Sequence, residues 1–505
     1  MQVTEALTSR RTRTAVVPVL VPVAVMTALG LWGLDRGTIW RDEGATFQVA
    51  RRSLPEIWWL LHHVDAVHGL YYLLMHPVLA LHPGEVMLRL PSVAAAAAAA
   101  GLVAVLGARL VRPRVGLWAG LLYAITPVAG HYAQEGRSYA AVAAGAVGAT
   151  LLLLRAVART GTGGRAWWAY GAAVTGTALL HELAALLLLA HAATLLLSRV
   201  PRAVWRAWGA AAGGCALALL PLLLVSRGQA GQVAWLRAPD GQEADRLLHS
   251  FLGYPEPLFV AQLLLALCAV AAPLPRPGRL SAATVALPLL LVPPAVLFAV
   301  SQRAPLYHER YVLFALAGAP LLVAAGADRV AGAAGAVLRR SGAVVRPGAA
   351  VVAGVVGVVG AFWWQLPVLR QDRAAGHGSE RHAAISAVAA RELRAGDRVL
   401  YLPSIARRVS LVYPKAFRGT RDLALRESAV ASGTLYGEEF APTALARRLA
   451  AVDRVWVLTD PPALRAQPPR EAAAERVKVA VLERRFRVRA TYRQPGAELR
   501  LYVRR

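Results

Sequence analysis

Residues 91–107 read PSVAAAAAAAGLVAVLG and contain no charged side chain. A second uncharged run, residues 207–225, reads AWGAAAGGCALALLPLLLV. Runs of this length approach the roughly 20 apolar residues that a helix needs to cross a bilayer. One such run could be a buried core helix, but about ten of them in one chain predict an all-α polytopic membrane protein.

The composition agrees with a membrane protein and excludes other classes. The chain has 505 residues, is 57% hydrophobic and carries a net charge of +27. Its arginines up to residue 350 lie mostly between apolar runs, where membrane topology places them, so we predict no nucleic-acid partner. Cys215 and Cys268 each lie inside an apolar segment, which leaves no disulfide framework and no CxxC metal site.

The polar loops alternate in charge along the chain. One set is basic and almost free of acids, at residues 109–114, 155–165, 199–206, 276–279 and 329–346. The other set holds nearly all of the acids and histidines. Because arginine-rich loops stay in the cytoplasm, about eleven spans place the N-terminus inside and the C-terminus outside the plasma membrane.

The predicted domains follow from these spans. Residues 1–14 form a cytoplasmic tail, and residues 15–365 form the transmembrane domain, with a first external loop at 35–85. In residues 166–198 a turn at His181 separates two short helices. Residues 366–505 form a small extracytoplasmic α/β domain. Its strand-like runs are 398–402, 454–458, 486–492 and 499–503, and its helix-like runs are 380–393 and 470–482.

The first external loop opens with two adjacent acids in Trp40-Arg41-Asp42-Glu43-Gly44. Either acid by itself could cap a helix or be solvated. Further polar groups occur in the loops assigned to the same side of the membrane. These candidate substrate-binding residues are Asp65, His68, Tyr71, Tyr72, Glu135, Arg137, Tyr139, His308 and Arg310.

This combination of side chains suits a reaction at a membrane-borne phosphate. Arginine binds phosphate oxygens in a bidentate way. A neighbouring carboxylate can take the proton of an attacking hydroxyl. Tyrosines have an apolar ring and a polar tip, which suits a substrate with both characters.

The order of the motifs resembles a known group of enzymes. The first span is followed by Asp42-Glu43, then DxxHGLYY at 65–72, RLPS at 89–92 and YAxExRxY at 132–139. This order is similar to that of the GT-C superfamily of polytopic membrane glycosyltransferases, related to the protein O-mannosyltransferases (family 39) and the lipid A aminoarabinose transferase. It most resembles their actinobacterial mannosyltransferase-like branch.

The resemblance implies a mechanism and partners. Asp42 would be the general base, with Glu43 as the less favoured candidate. The donor would be a polyprenyl-phosphate sugar, with mannose as the expected sugar, and transfer would invert the anomeric centre. Arg137 and Arg310 would stabilise the departing lipid phosphate. The acceptor would be a hydroxyl of a protein, a cell-wall glycan or a glycolipid.

The same resemblance predicts no cofactor. Asp65 and His68 are weak candidates for a divalent metal site, because two ligands three residues apart are little evidence.

Two other functions are compatible with a polytopic chain. A transporter or lipid flippase would place ionisable groups near the middle of the bilayer, whereas here they lie mostly at span ends. A non-catalytic membrane scaffold would not bring the acidic loop residues together.

Overall fold

The structure is a computed structural model of the chain. It describes residues 2–35, 38–159, 164–271, 276–341, 346, 348–374, 382–461 and 473–505. The chain divides into two compact units, of which the first comprises Met1–Leu34 and Arg89–Arg373 and the second comprises Asp35–Leu88 and Ala374–Arg505. The loop at 35–85, which the sequence-based division assigned to the transmembrane domain, is therefore grouped with the C-terminal residues.

Helices account for most of the described residues. In chain order they are α1 (Gln2–Leu31), α2 (Arg41–Val49), α3 (Leu54–Leu61), α4 (Gly69–Leu81), α5 (Glu85–Leu110), α6 (Pro113–Ile125), α7 (Pro127–Ala133), α8 (Tyr139–Ala158), α9 (Gly164–Leu180), α10 (Leu187–Leu197), α11 (Arg202–Gly228), α12 (Gly241–Leu252), α13 (Glu256–Val270), α14 (Ala282–Ser301), α15 (Gly318–Arg340), α16 (Ala349–Arg373), α17 (His382–Glu392), α18 (Arg408–Val412), α19 (Pro442–Ala450) and α20 (Ala473–Arg485). Short 3-10 helices occupy Ala66–His68, Glu182–Leu186, Ala230–Val233, Glu309–Ala317, Ser404–Arg407 and Pro414–Phe417.

Several of these helices are long and apolar enough to cross a membrane. Among the described residues there are six, at Glu85–Leu110, Tyr139–Ala158, Arg202–Gly228, Ala282–Ser301, Glu309–Arg340 and Ala349–Arg373, and the bent pair α12–α13 would make a seventh. The prediction of about eleven spans also counted shorter helices. For example, α9 has 17 residues and is about 25 Å long, somewhat less than the bilayer core. The fold is that of a multi-pass, helical membrane protein, as predicted.

The turn predicted at His181 is present. Helix α9 ends at Leu180, and the backbone of His181 is extended at φ −164° and ψ 115°, which stops the helix. A second histidine, His191, lies inside α10 and is buried. Its Nε2 lies 3.0 Å from the Thr150 hydroxyl and its Nδ1 lies 2.9 Å from the Tyr170 hydroxyl. His191 is therefore a satisfied polar group of the bundle interior.

Helices α13 and α15 pack closely because Gly326 lies at their contact. A Cβ atom at this position would lie 1.7 Å from the carbonyl oxygen of Leu265, a backbone atom that cannot turn away. Gly326→Ala should therefore destabilise the bundle by about 1–3 kcal/mol, seen as a lower thermal unfolding midpoint of the purified protein. Gly332→Ala on the same helix is the control, because its Cβ would meet nothing within 4 Å. Equal midpoints for the two variants would contradict this account.

In the second unit, the loop at 35–85 folds into α2, α3 and α4. Val49, Ile57 and Tyr72 form a small buried cluster, against which Leu435 from the C-terminal residues also packs. The Arg52 guanidinium donates a hydrogen bond of 2.9 Å to the carbonyl oxygen of Thr434. The loop and the C-terminal residues thus share a core.

The C-terminal residues form a mixed sheet, which confirms the predicted small α/β region. The strands are β1 (Arg398–Leu402), β2 (Arg421–Asp422), β3 (Leu425–Glu427), β4 (Glu438–Glu439), β5 (Arg454–Thr459), β6 (Phe486–Gln494) and β7 (Ala497–Arg504). The main sheet has the order β2-β1-β5-β7-β6, and β1 is parallel to β2 and β5. Strands β5, β7 and β6 are antiparallel neighbours. The central strands β1 and β5 are buried on both faces, as parallel strands usually are.

Candidate active site

The adjacent acids Asp42 and Glu43 lie in the first turn of α2, where the helix dipole favours negative charge. The Asp42 side chain is 17% exposed, and its carboxylate lies 3.4 Å from the Nε of Arg41. Glu43 is completely buried, and its carboxylate accepts a hydrogen bond of 3.4 Å from the backbone N–H of Trp40. Asp42 is thus the accessible acid of the pair, and Glu43 stabilises the start of the helix.

Replacing Glu43 by alanine should lower the free energy of unfolding by about 1–3 kcal/mol, because a partly buried backbone donor loses the carboxylate that accepts its hydrogen bond. The measurement is thermal unfolding of the purified protein. Glu56→Ala is the matched control, since Glu56 accepts from the N–H of Ser53 in the same way at an exposed position. A Glu43→Ala midpoint no lower than that of the control would argue against a structural role.

The second acidic group of the loop centres on Asp65. Its backbone is in the left-handed region at φ +63°, a conformation that aspartate tolerates better than most residues. This turn directs its carboxylate to the hydroxyl of Tyr72, which donates a short hydrogen bond to it. Tyr71 and His68 are buried beside it.

His68 and Asp65 face each other, with Nε2 and Oδ1 3.9 Å apart. In the part of the chain that the structure describes, no group of three or more His, Cys, Asp or Glu side chains could hold a metal ion. The carboxylate of Asp65 also accepts a hydrogen bond from the hydroxyl of Tyr72. The expectation that the protein needs no cofactor stays a prediction.

The C-terminal residues contribute a tyrosine and an arginine to this region. Burial raises the pKa of Tyr436 to about 12, and the negative charges of Asp42 and Asp65 add to the rise. Arg408 and Arg41 act in the opposite direction on the same hydroxyl. Tyr436 therefore stays protonated at neutral pH and lies within the electrostatic field of both acids. Sequence reasoning did not identify it.

The position of Tyr436 is fixed by Arg407, the residue before Arg408. The Arg407 guanidinium donates to the carbonyl oxygen of Tyr436 at 2.9 Å, to Asp422 at 2.6 Å and to Glu439 at 2.8 Å. Glu439 also pairs with the fully buried Lys478 at 2.7 Å. This buried network connects the sheet to the backbone that carries Tyr436.

The segment before α2 is held in a similar way. The N–H of Ile39 donates to the hydroxyl of Tyr413 at 2.9 Å. Burial, assisted by the charge of Arg408, lowers the pKa of His382 to about 4, although its hydrogen bond to the backbone of Ile39 opposes the shift. Arg408 itself forms a buried ion pair with Asp460. The C-terminal residues thus position the start of the helix that bears Asp42.

The first unit holds the other predicted group. Glu135, Arg137 and Tyr139 are all buried where the loop after α7 enters α8. The hydroxyl of Ser92 donates to the carbonyl oxygens of Glu135 and Arg137, at 2.5 and 3.3 Å. The side-chain amide of Gln134 donates to the carbonyl oxygens of Gly30 and Trp32, at 2.8 and 2.7 Å. These bonds tie the loop to α1 and α5.

Arg310 lies among aromatic rings within the same unit. Its guanidinium carbon is 5.7 Å from the ring centre of Tyr139 and 5.4 Å from that of Tyr311. The His181 ring is 4.8 Å from Tyr311 and 5.8 Å from Tyr139. Arg137 and Arg310 both act electrostatically on His181 and on Tyr139. The predicted residues Arg137, Tyr139 and Arg310 therefore converge.

His308 has a local structural role. Its Nδ1 accepts a hydrogen bond of 3.5 Å from the backbone N–H of Arg310, which caps the 3-10 helix Glu309–Ala317. The ring also lies 5.9 Å from that of Trp235. A capping histidine fixes the start of the helix that carries Arg310.

The two groups differ in chemistry. In the second unit, Asp42 and Asp65 act electrostatically on the protonated hydroxyl of Tyr436, and these groups together can accept a proton and orient a polyol. In the first unit, Arg310 lies beside the rings of Tyr139 and Tyr311, and Arg137 is buried two residues before Tyr139. This arrangement can bind an anion attached to an apolar body. The predicted residues fall into these two groups, one in each unit.

The fold and these groups define a polytopic membrane protein with a polar group of side chains in each of its two units. The crystal structure of ArnT from Cupriavidus metallidurans bound to undecaprenyl phosphate has the same fold, with a TM-score of 0.60 at 14% identity over 96% of this chain and 98% of that chain. An oligosaccharyltransferase from Archaeoglobus fulgidus, in complex with zinc and sulfate, gives 0.53 at 10% identity over 88% and 68%.

A third similar structure is the arabinofuranosyltransferase AftD from Mycobacteria, with a TM-score of 0.52 at 15% identity over 96% of this chain and 39% of AftD. No protein-family model matches the sequence, and no curated protein matches it. The chain therefore has the fold of these solved structures, which is the GT-C fold that the motif order predicted.

Proposed function

We propose that this protein is a glycosyltransferase that moves a sugar from a polyprenyl-phosphate donor to an acceptor hydroxyl. The GT-C fold supports this proposal, since the similar solved structures are glycosyltransferases and one of them holds undecaprenyl phosphate. Mannose is the first sugar to test because the motif order resembles the mannosyltransferase-like branch.

One observation carries the proposal. Asp42 is an accessible carboxylate in a first-loop helix, and the same region contains a second acid, Asp65, and the protonated hydroxyl of Tyr436. A general base needs access to the hydroxyl that it deprotonates, and it needs neighbours that orient the substrate. Glu43 lacks that access because it is completely buried.

In the proposed reaction Asp42 accepts the proton of the acceptor hydroxyl. The oxygen then attacks the anomeric carbon from the face opposite the phosphate. A glycosidic bond forms as the bond to the phosphate oxygen breaks, so the configuration inverts. The leaving group is the polyprenyl phosphate, which carries away the electron pair of the broken bond.

Arg137 and Arg310 are proposed to stabilise the charge that develops on the departing phosphate. Donors aimed at developing charge contribute a few kcal/mol each when water is excluded. Both arginines are buried, which limits screening by water. Tyr139 and Tyr311, beside Arg310, offer apolar surface to the lipid part of the donor.

The arginine distribution supports an orientation in which the N-terminus is cytoplasmic and the site faces the outside of the plasma membrane. In that orientation the C-terminal domain is extracytoplasmic, and protein, cell-wall glycan and glycolipid hydroxyls are the accessible acceptors. A divalent metal is not required by this mechanism.

The test is transfer by the purified, reconstituted protein. Polyprenyl-phosphate mannose labelled in the sugar is supplied with wall glycans, glycolipids or peptides, and with arabinose-bearing donor in parallel. Label in an acceptor, with release of polyprenyl phosphate and an inverted linkage by NMR, is expected with or without EDTA. A protein that consumes neither donor, yet moves labelled lipid between leaflets, would replace this proposal with the flippase alternative.

A further inference from the structure

A basic cavity lies at the end of the first unit's helices opposite to Tyr139. Its volume is about 680 Å³, and four arginines line it, namely Arg109, Arg155, Arg159 and Arg279. No acidic side chain is among the lining residues. Tyr139 begins α8 and Arg155 lies sixteen residues further on, so the two ends are about 24 Å apart at 1.5 Å per residue.

We propose that this cavity binds the headgroup of an anionic glycerophospholipid. Arg109 and Arg155 lie in the last turns of α5 and α8, and Arg279 lies just before α14. All three helices are long and apolar enough to span a membrane. The cavity therefore opens where headgroups lie, and basic pockets between such helix ends are suited to anionic headgroups.

The lining favours a lipid over a free phosphate ion. Besides the arginines, the cavity is lined by apolar side chains, which are Leu110, Leu154, Val157, Ala158 and Leu280. A lipid presents a phosphodiester and the beginning of its acyl chains together, and it matches both parts of this surface. A small inorganic anion would fill little of about 680 Å³ and would leave the apolar lining unused.

The charges at this end of the bundle are not all equivalent. Arg112 and Arg114 form ion pairs with the buried Asp328, at 2.9 and 2.6 Å. Among the described residues, Arg155 and Arg279 form no ion pair with a carboxylate within 4 Å, so their charges remain for a ligand. The turn that carries Arg279 is anchored, because the N–H of Gly278 donates to the carbonyl oxygen of Ser198 at 2.8 Å.

The test is binding of dioleoyl phosphatidylglycerol to the full-length protein in detergent, measured by native mass spectrometry against dioleoyl phosphatidylcholine. The double variant Arg155→Gln/Arg279→Gln should bind phosphatidylglycerol roughly 10- to 30-fold more weakly, since each basic residue near a membrane contributes substantially to anionic-lipid binding. Arg339→Gln/Arg340→Gln is the matched control, because it removes the same charge from exposed positions at the end of α15 outside the cavity. Its binding should change less than about twofold.

A further variant and two competing anions distinguish binding of a lipid headgroup from binding of a free phosphate. Arg155→Lys/Arg279→Lys keeps the charge and should retain most of the binding. Inorganic phosphate and glycerol 3-phosphate at millimolar concentration should not displace the lipid, and displacement by either would overturn the lipid assignment. Equal losses in the cavity and control variants, or equal binding of phosphatidylcholine, would also overturn it. The unfolding midpoint of each variant, measured without added lipid, shows whether the variant is folded.

Discussion

The Asp42→Asn variant should transfer sugar about 10²- to 10⁴-fold more slowly than the wild type, because asparagine cannot accept the proton of the acceptor hydroxyl. The substitution is close to isosteric, and the side chain is partly exposed, so folding should be retained. The measurement is the rate of label transfer from the polyprenyl-phosphate sugar, with kcat and KM determined separately. The loss should appear in kcat, since a general base acts in the transition state.

A general base also leaves a signature in the pH profile. The wild-type rate should fall as the pH drops through the pKa of the base, and that limb should be absent from the residual activity of Asp42→Asn. Glu43→Gln is the control at the neighbouring position, and it should keep the acidic limb because the carboxylate of Glu43 is buried. Wild-type activity in Asp42→Asn, or loss of the acidic limb in Glu43→Gln instead, would remove Asp42 from this role.

The difference between Asp42 and Glu43 shows how much of the candidate site can be predicted from the sequence. Adjacent acids after an apolar run indicated a candidate site, and the motif order favoured the first of them. Successive residues of a helix are rotated by about 100°, so one acid turns outward and the next inward. Which one is buried depends on what covers α2, and a single sequence does not show that.

Local sequence patterns predicted the helices and strands better than they predicted which segments pack together. The break at His181 and the strands predicted at 398–402 and 454–458 are present, because apolar periodicity and polar interruptions are properties of neighbouring residues. The pairing of the first loop with the C-terminal residues depends on contacts between distant positions. The hydrogen bond from Ile39 to Tyr413 joins residues 374 positions apart.

The same limitation explains the missed site residues. Tyr436 and Arg408 belong to no motif, and an isolated tyrosine or arginine in an α/β region has many ordinary roles. Their relation to Asp42 became visible only when the fold brought the two segments into one unit. Arg137 and Arg310 were easier to predict, since both lie in short polar loops between long apolar runs.

Arg310→Gln should lower transfer by about 10²- to 10³-fold, because the guanidinium is proposed to stabilise the charge that develops on the leaving phosphate. Arg310→Lys should restore only part of the rate. Lysine keeps the charge, but it has no planar group to lie over Tyr139 and Tyr311 or to bind two phosphate oxygens at once. The measurement is kcat and KM for the polyprenyl-phosphate sugar at saturating acceptor.

Arg303 provides the matched control, since it is an exposed arginine seven positions earlier in the same polar loop. Arg303→Gln should keep the wild-type rate within about twofold. A structural role of Arg310 would lower the unfolding midpoint and the amount of active protein equally for glutamine and lysine. A role at the phosphate instead predicts near-normal midpoints with rates ordered wild type, lysine, glutamine. With donors that have better leaving groups, such as aryl-phosphate sugars, Arg310→Gln should then lower the transfer rate less, because these donors need less stabilisation of the departing charge.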